Sequence, residues 1–117
     1  MTVTGYQKGI IAENFAKGFF TLKGYTVLAE RFKTKLGEID LVLRKNNTLV
    51  FVEVKMRQTI ENAAESIDTR NQQRVYAAAE LYLQKHPQYT GYDVRFDALV
   101  LAPYALPRHI ENAWGML

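Results

Sequence analysis

Apolar residues recur along this chain with two different periods, and each period predicts an element. Between Gly5 and Lys23, Ile11, Phe15, Phe19 and Leu22 stand at spacings of four, four and three, which predicts a helix with those four side chains on its core face. Gly24 supplies the stop. Tyr25 to Phe32 carries Tyr, Val, Leu and Phe and reads as a first strand. Two apolar runs, Ile39 to Leu43 and Leu49 to Val54, then flank Asn46-Asn47, a residue type that tolerates the positive φ of a tight turn. The pattern is that of a β-hairpin. With Asn46 and Asn47 as turn residues, Lys45 pairs with Thr48, and counting outward sets Asp40 opposite Glu53 and Glu38 opposite Lys55.

A polar loop is expected after Met56 and Arg57, through Glu61-Asn62. Thr69 to Lys85 predicts a second helix, with Asp68 or Ser66 as N-cap, Val75, Ala78, Ala79 and Tyr82 as its core stripe, and Pro87 beyond its end. From Gly91 to Leu101, Val94, Phe96, Ala98 and Val100 alternate with Asp93, Arg95 and Asp97, the signature of another strand. The tail from Arg108 to Leu117 is too short to assign, and Ile110 or Trp114 is expected to dock on the core. His86 and His109 show no ligand-like spacing and read as surface or capping residues.

This order of elements defines an α/β chain, and 117 residues fit a single domain spanning 1–117. Composition narrows the class. A hydrophobic share of 48% with 23% charged residues is that of a soluble globular protein. Without cysteine there is neither a disulfide nor a thiolate metal site, which fits a reducing, cytoplasmic setting. Residues 1–6 lack a basic region followed by an apolar one, so no secretory signal is expected. No run approaches about 18 apolar residues, so no membrane span is expected. A net charge of +3 and a pI near 9.2 lean toward a polyanionic partner.

The candidate chemistry lies in the hairpin. Side chains alternate faces with period two, so Glu38, Asp40, Glu53 and Lys55 should emerge together. Carboxylates roughly 5 Å apart across a strand pair repel by roughly 3 kcal/mol at an effective dielectric of about 20. Two readings fit. One is a solvated sheet face with Lys55 as counter-ion. The other is a site for Mg²⁺ or Mn²⁺, hard ions that take oxygen ligands. Ions are costly inside Val/Leu/Ile/Phe-rich strands unless paired or metal-bound, which favours the second. Glu13 sits on the far side of its helix from the apolar stripe. It reads either as a solvated Glu or, given neighbours Gly9, Ala12, Ala16 and Phe20, as a carboxylate on a second buried face that looks at the sheet.

Basic residues surround this cluster in sequence. Arg31, Lys33 and Lys35 occupy alternate positions before Gly37-Glu38, where an extended chain would aim all three one way, either at phosphates or as a charged edge that prevents aggregation. Arg70, Asn71, Gln72, Gln73 and Arg74 open the second helix as nucleic-acid contacts or as a wet face.

The order helix, strand, strand, strand, helix, strand, with Asp40 on the second strand and Glu53-Val54-Lys55 on the third, resembles the PD-(D/E)XK nucleases. That resemblance implies a restriction-endonuclease-like αβββαβ core, a mixed central sheet flanked by helices. More specifically, Gly37-Glu38-Ile39-Asp40-Leu41-Val42, then Leu49 to Lys55 with Arg57, then Arg95-Phe96-Asp97, resemble the YraN family of small bacterial proteins over nearly the whole chain. That family is described as endonuclease-like through its similarity to archaeal Holliday-junction resolvases. The resemblance implies Asp40 and Glu53 as metal ligands for Mg²⁺ or Mn²⁺, Lys55 as catalytic lysine, and Glu13 and Glu38 as matching acids of the pattern. Asn71 stands where the family often has Lys, a departure that counts against a role for a lysine at that position of the second helix. Gln72 and Tyr76 repeat a Gln-x3-Tyr spacing of RecB-like nucleases. The implied activity is hydrolysis of phosphodiester bonds in nucleic acid, DNA in particular, with branched recombination or repair intermediates as a candidate substrate. Arg31, Lys33, Lys35, Arg57, Arg70 and Arg74 would grip the backbone, with a homodimer where cleavage is symmetric. The alternative is a non-catalytic nucleic-acid-binding or partner-binding module on the same fold.

Overall fold

Leu41, Val42, Leu43, Leu49, Val50, Phe51 and Val52 are wholly excluded from solvent, so the hairpin forms the centre of the molecule and everything else covers it. In the computed structural model, which describes residues 5–114, the order is α1 (Gly5–Leu22), β1 (Thr26–Lys33), β2 (Glu38–Lys45), β3 (Thr48–Met56), α2 (Ile60–Glu65), α3 (Thr69–Lys85), β4 (Asp93–Leu101) and β5 (Arg108–Ile110). The expectations for residues 1–4 and 115–117 lie outside the described residues. The five strands form one sheet in the order β1-β2-β3-β4-β5. β3 and β4 are parallel and the other neighbours antiparallel. This is the expected mixed α/β sheet flanked by helices.

The hairpin register is the expected one, with Lys45 on Thr48, Leu43 on Val50 and Leu41 on Val52. Asn46 closes the turn at φ 54, in the left-handed region that Asn tolerates. α3 begins at an Asp68 N-cap, whose side chain accepts from the Asn71 amide at 2.9 Å. It buries Val75, Ala78, Ala79 and Tyr82 against Phe51 and Phe96, and β3, α3 and β4 form a crossover unit. His86 caps the helix end and stacks on Tyr82 with ring centroids 3.9 Å apart.

α1 corrects the expected core stripe. Ile11, Phe15 and Leu22 are 53%, 46% and 91% exposed, and of the expected four only Phe19 packs on the core, whereas Ala12, Ala16 and Phe20 are buried. Periodicity weighs bulk, but docking on a sheet favours the face whose small residues permit close approach. Ala12 and Ala16 lie on Leu41, Leu43, Val50 and Val52, and Glu13 is therefore carried on the buried side. A second correction concerns the loop after β3. It holds α2, whose Thr59 N-cap accepts from the Asn62 amide at 3.0 Å and whose Ile60 and Ala63 seat on Val100. Third, the unassigned tail adds an edge strand, β5, while Trp114 docks on Phe96 in the core as expected. Among the described residues no helix is long and apolar enough to cross a membrane.

His109 is not a surface residue. Asp97, fully buried, accepts from Arg95 Nε at 2.8 Å and Nη2 at 2.9 Å, from His109 Nε2 at 2.7 Å and from the Asn112 amide at 2.9 Å. Lys23 Nζ lies 2.7 Å from His109 Nδ1, and an ammonium there donates, so the Nε2 hydrogen faces Asp97. Burial pushes the Asp97 carboxyl up, but the hydrogen bonds from His109, Arg95 and Asn112 together outweigh it and hold the carboxyl below its ordinary range. This pin ties β4, β5 and the end of α1 together.

Gly37 ends the turn from β1 to β2, where Thr34 Oγ1 accepts from the Leu36 and Gly37 amides. A Cβ added to Gly37 would stand 2.0 Å from the Arg74 carbonyl oxygen. Replacing Gly37 with Ala must push this turn off α3 and should cost about 1–3 kcal/mol, read in a chemical-denaturation curve. Asp97→Ala strands buried donors and should cost about 3–5 kcal/mol by the same measurement, the larger of the two losses.

Candidate active site

β2 and β3 part company beyond the Leu41–Val52 pair. Instead of extending the ladder, Asp40 Oδ2 accepts the Val54 amide at 2.7 Å. The parting leaves a cleft of about 580 Å³ roofed by the N-terminal half of α1, with Glu13, Glu38, Asp40, Glu53, Lys55 and Arg57 in its lining. A smaller lobe of about 190 Å³ shares Glu13, Glu38 and Asp40 with it and is closed by Tyr6, Arg31 and Lys33.

The acids do converge, but not on one face of the sheet. Neighbours Glu53, Val54, Lys55 and Met56 all line the cleft, so it is the open end of the sheet. Alternation also fails locally in β2. Ile39 packs with the α3-side core and Leu41, two residues on, with the α1-side core. Asp40 lies between them, across from Arg31, whose φ is 52. That irregularity turns the Asp40 carboxylate toward β3.

Burial is the dominant electrostatic fact. Glu53 is 5% exposed, and burial, followed by the charge of Asp40, pushes its carboxyl up to about 8 against the pull of Lys55. Asp40 is raised as well, by burial first, while the Val54 amide and Glu53 pull it down and the charge of Glu13 adds to the rise. The charge of Asp40 is among the causes that raise Glu53, and the two carboxyls titrate as a unit. Lys55 Nζ stands 3.2 Å from Glu53 Oε1. Glu13 accepts from Arg31 Nε.

The predicted basic residues separate into two groups. Arg57 lines the main cleft, and Arg31 and Lys33 the smaller lobe. Lys35 is exposed in the turn after β1 and lines neither, so Arg31, Lys33 and Lys35 do not share one side. Alternation fails because Arg31 is in the left-handed region and β1 ends at Lys33. Arg70, Gln72 and Arg74 belong to α3, which covers the opposite sheet face from α1, and none lines the cleft. Gln72 Nε2 donates to the Ile67 carbonyl at 3.2 Å, a local brace. Tyr76 lies against Phe96 in the core. Lys8, Gly5 and Gly9 were not foreseen as lining residues. Their signal in the sequence is the pair of glycines one turn apart in a helix, costing about 1 kcal/mol each relative to Ala. A Cβ on either meets nothing within 4 Å, so the glycines leave the cleft roof open.

Known proteins resemble this chain along nearly all its length. The profile of a family described as "Uncharacterised protein family UPF0102" matches residues 12–101, a span that holds Glu13, Arg31, Glu38, Asp40, Glu53, Lys55 and Asp97. A UPF0102 protein of Rhodopseudomonas palustris (strain BisB18) is 45% identical over 112 residues, 96% of this chain and 83% of that one. One from Nitrobacter winogradskyi is 42% identical over 114 residues, 97% of either chain. Another, from Bradyrhizobium diazoefficiens, is 44% identical over 112 residues, 96% of this chain and 84% of its own. By family profile and relatives alike, the chain belongs to the uncharacterised protein family UPF0102, the YraN-like family that its motifs resemble.

Proposed function

We propose that this protein is a metal-dependent nuclease that hydrolyses phosphodiester bonds of nucleic acid, DNA above all, at the parted end of β2 and β3. One observation carries the reading: half-buried Asp40 and buried Glu53 line one cleft open to a ligand, with the Lys55 ammonium 3.2 Å from Glu53 Oε1. Perturbed titratable groups in a cleft mark a functional site.

The donor set fits Mg²⁺ or Mn²⁺. Both acids offer hard oxygens, and a dication between them relieves their repulsion. Among the described residues no group of three or more His, Cys, Asp or Glu side chains is arranged to hold a metal ion. Mg²⁺ sites of this kind use one or two carboxylates and complete their shell with water and substrate phosphate, so Asp40 and Glu53 would hold the ion. When bound, such an ion polarises the phosphate and lowers the pKa of coordinated water. The chain's own groups do the rest. Lys55 donates from Nζ toward the phosphoryl oxygens, whose charge grows in the transition state, while its contact with Glu53 fixes it in place. Val54 N–H orients the Asp40 carboxylate. Lys8, Arg57, Arg31 and Lys33 hold the backbone without reading bases.

The test is cleavage of linear and branched DNA with Mn²⁺ or Mg²⁺. Asp40→Ala, Glu53→Ala and Lys55→Ala should each reduce cutting by roughly a hundredfold or more while the circular dichroism spectrum stays that of the parent. Cutting that survives all three changes would remove the assignment. Steep salt-dependent DNA binding with no ion at the cleft and no cutting would leave a binding module.

The raised acid also sets a pH dependence. Between about 4.5, the ordinary Glu value, and about 8, the unfolded chain has released the Glu53 proton and the folded protein has kept it. The folded state binds more protons in that window, so stability falls as pH rises through it. Thermal melts of the metal-free protein should drop across that range. Glu53→Gln should flatten the slope and melt several degrees higher at its alkaline end; an unchanged slope would mean that Glu53 ionises as an ordinary acid.

A further inference from the structure

Glu30 and Arg31 are consecutive in β1, yet both reach α1: Glu30 to Lys17 Nζ at 3.0 Å, and Arg31 Nε to Glu13 Oε2. Consecutive strand side chains ordinarily leave opposite faces. Arg31 departs from this because its backbone is at φ 52, a region uncommon for residues with long side chains. A left-handed residue that sets one guanidinium on one carboxylate, at the mouth of a cleft, points to function. The Tyr6 ring, 5.8 Å from the guanidinium carbon, steadies it from the other side.

Glu13 lines both lobes and its charge is felt at Asp40, yet among the described residues no three acids are arranged around one ion, and Glu13 is clasped by Arg31 instead. A guanidinium binds phosphate with the same fork that binds carboxylate, and Lys33 stands beside Arg31 in the smaller lobe to hold the same group.

We propose that Arg31 is a latch: it occupies Glu13 until a nucleic-acid phosphate takes the guanidinium, whereupon Glu13 joins Asp40 and Glu53 around the divalent ion. The inference rests on the nuclease reading above. Ion and nucleic acid then bind cooperatively, because each favours the released arrangement and coupling is reciprocal. Arg31 is a positioning residue, acting on the ion through Glu13.

A Mn²⁺ titration followed by paramagnetic broadening of the Val54 amide reads occupancy at the cleft itself. It is run with and without a short DNA duplex, on a Lys55→Ala background that leaves the DNA whole. In that parent the duplex should lower the Mn²⁺ midpoint roughly tenfold. Arg31→Gln should bind Mn²⁺ that much more tightly without DNA and gain nothing when DNA is added. Glu13→Gln should bind weakly in either case. Arg31→Gln titrating like its parent, or Glu13→Gln keeping the full gain from DNA, would overturn the latch and leave the nuclease reading standing. No broadening in any variant, with or without duplex, would overturn both.

Discussion

The structure turns on a hydrogen bond that a sheet would ordinarily give to its own backbone. At the end of the β2–β3 ladder, the Val54 amide donates to the Asp40 carboxylate. That substitution satisfies the amide, ends the pairing and holds an acid at the brink of the core. Leu41, Val42, Phe51 and Val52, all at 0% exposure, lie immediately inward, so neither Asp40 nor Glu53 can relax without disturbing close-packed strands. The charge repulsion at the cleft is thus imposed by the hydrophobic core, and Lys55 offsets it only in part.

A comparison within the molecule shows what this means. Asp97 and Asp40 are both carboxylates on central strands, and their carboxyls move in opposite directions. Asp97 has a guanidinium, an imidazole and a backbone amide as donors, and together they overcome burial. Asp40 has one amide, a competing carboxyl and a nearby Glu13, and burial wins. A fully satisfied buried acid is a structural tie. An acid pair left short of donors is primed to accept one more partner. The Arg95-Phe96-Asp97 word therefore supports the fold, and the Asp40 and Glu53 words build the site.

The elements were legible where one local rule decides them. The Asn46-Asn47 turn fixed the hairpin register, and the four-residue stripe of α3 fixed its buried face. Legibility failed where a tertiary preference competes with a local one. α1 turns Ile11, Phe15 and Leu22 outward because the face of Ala12, Ala16 and Phe20 docks on the sheet, and no sum over residue hydrophobicity contains that fit. α2 escaped notice because its stability comes from a Thr59 cap and two side chains seated on Val100, too little for a periodic signal. At the site, the meeting of Glu38, Asp40, Glu53 and Lys55 was legible from the register, but the reason was not. Strict alternation would have put them on one face, whereas the strands part there and β1 and β2 depart from it at Arg31 and Asp40.

The same departure decides which cations belong with the acids. Charge content alone treats Arg31, Lys33, Lys35, Arg57, Arg70 and Arg74 as equivalent, but α1 and α3 cover opposite sides of the sheet. A backbone laid across the acid pair would meet Arg31 and Lys33 in the smaller lobe and Lys8 and Arg57 in the larger one. It would therefore find positive charge on either side of the position where cleavage is proposed. The α3 cations are behind the sheet. For them to touch the same nucleic acid, the strand must pass around the edge of the molecule near Gly37, where the β1–β2 turn presses on the Arg74 carbonyl. A branched or bent substrate can make that passage, and a straight duplex seated in the cleft cannot, because its persistence length of about 150 base pairs resists turning within one small domain.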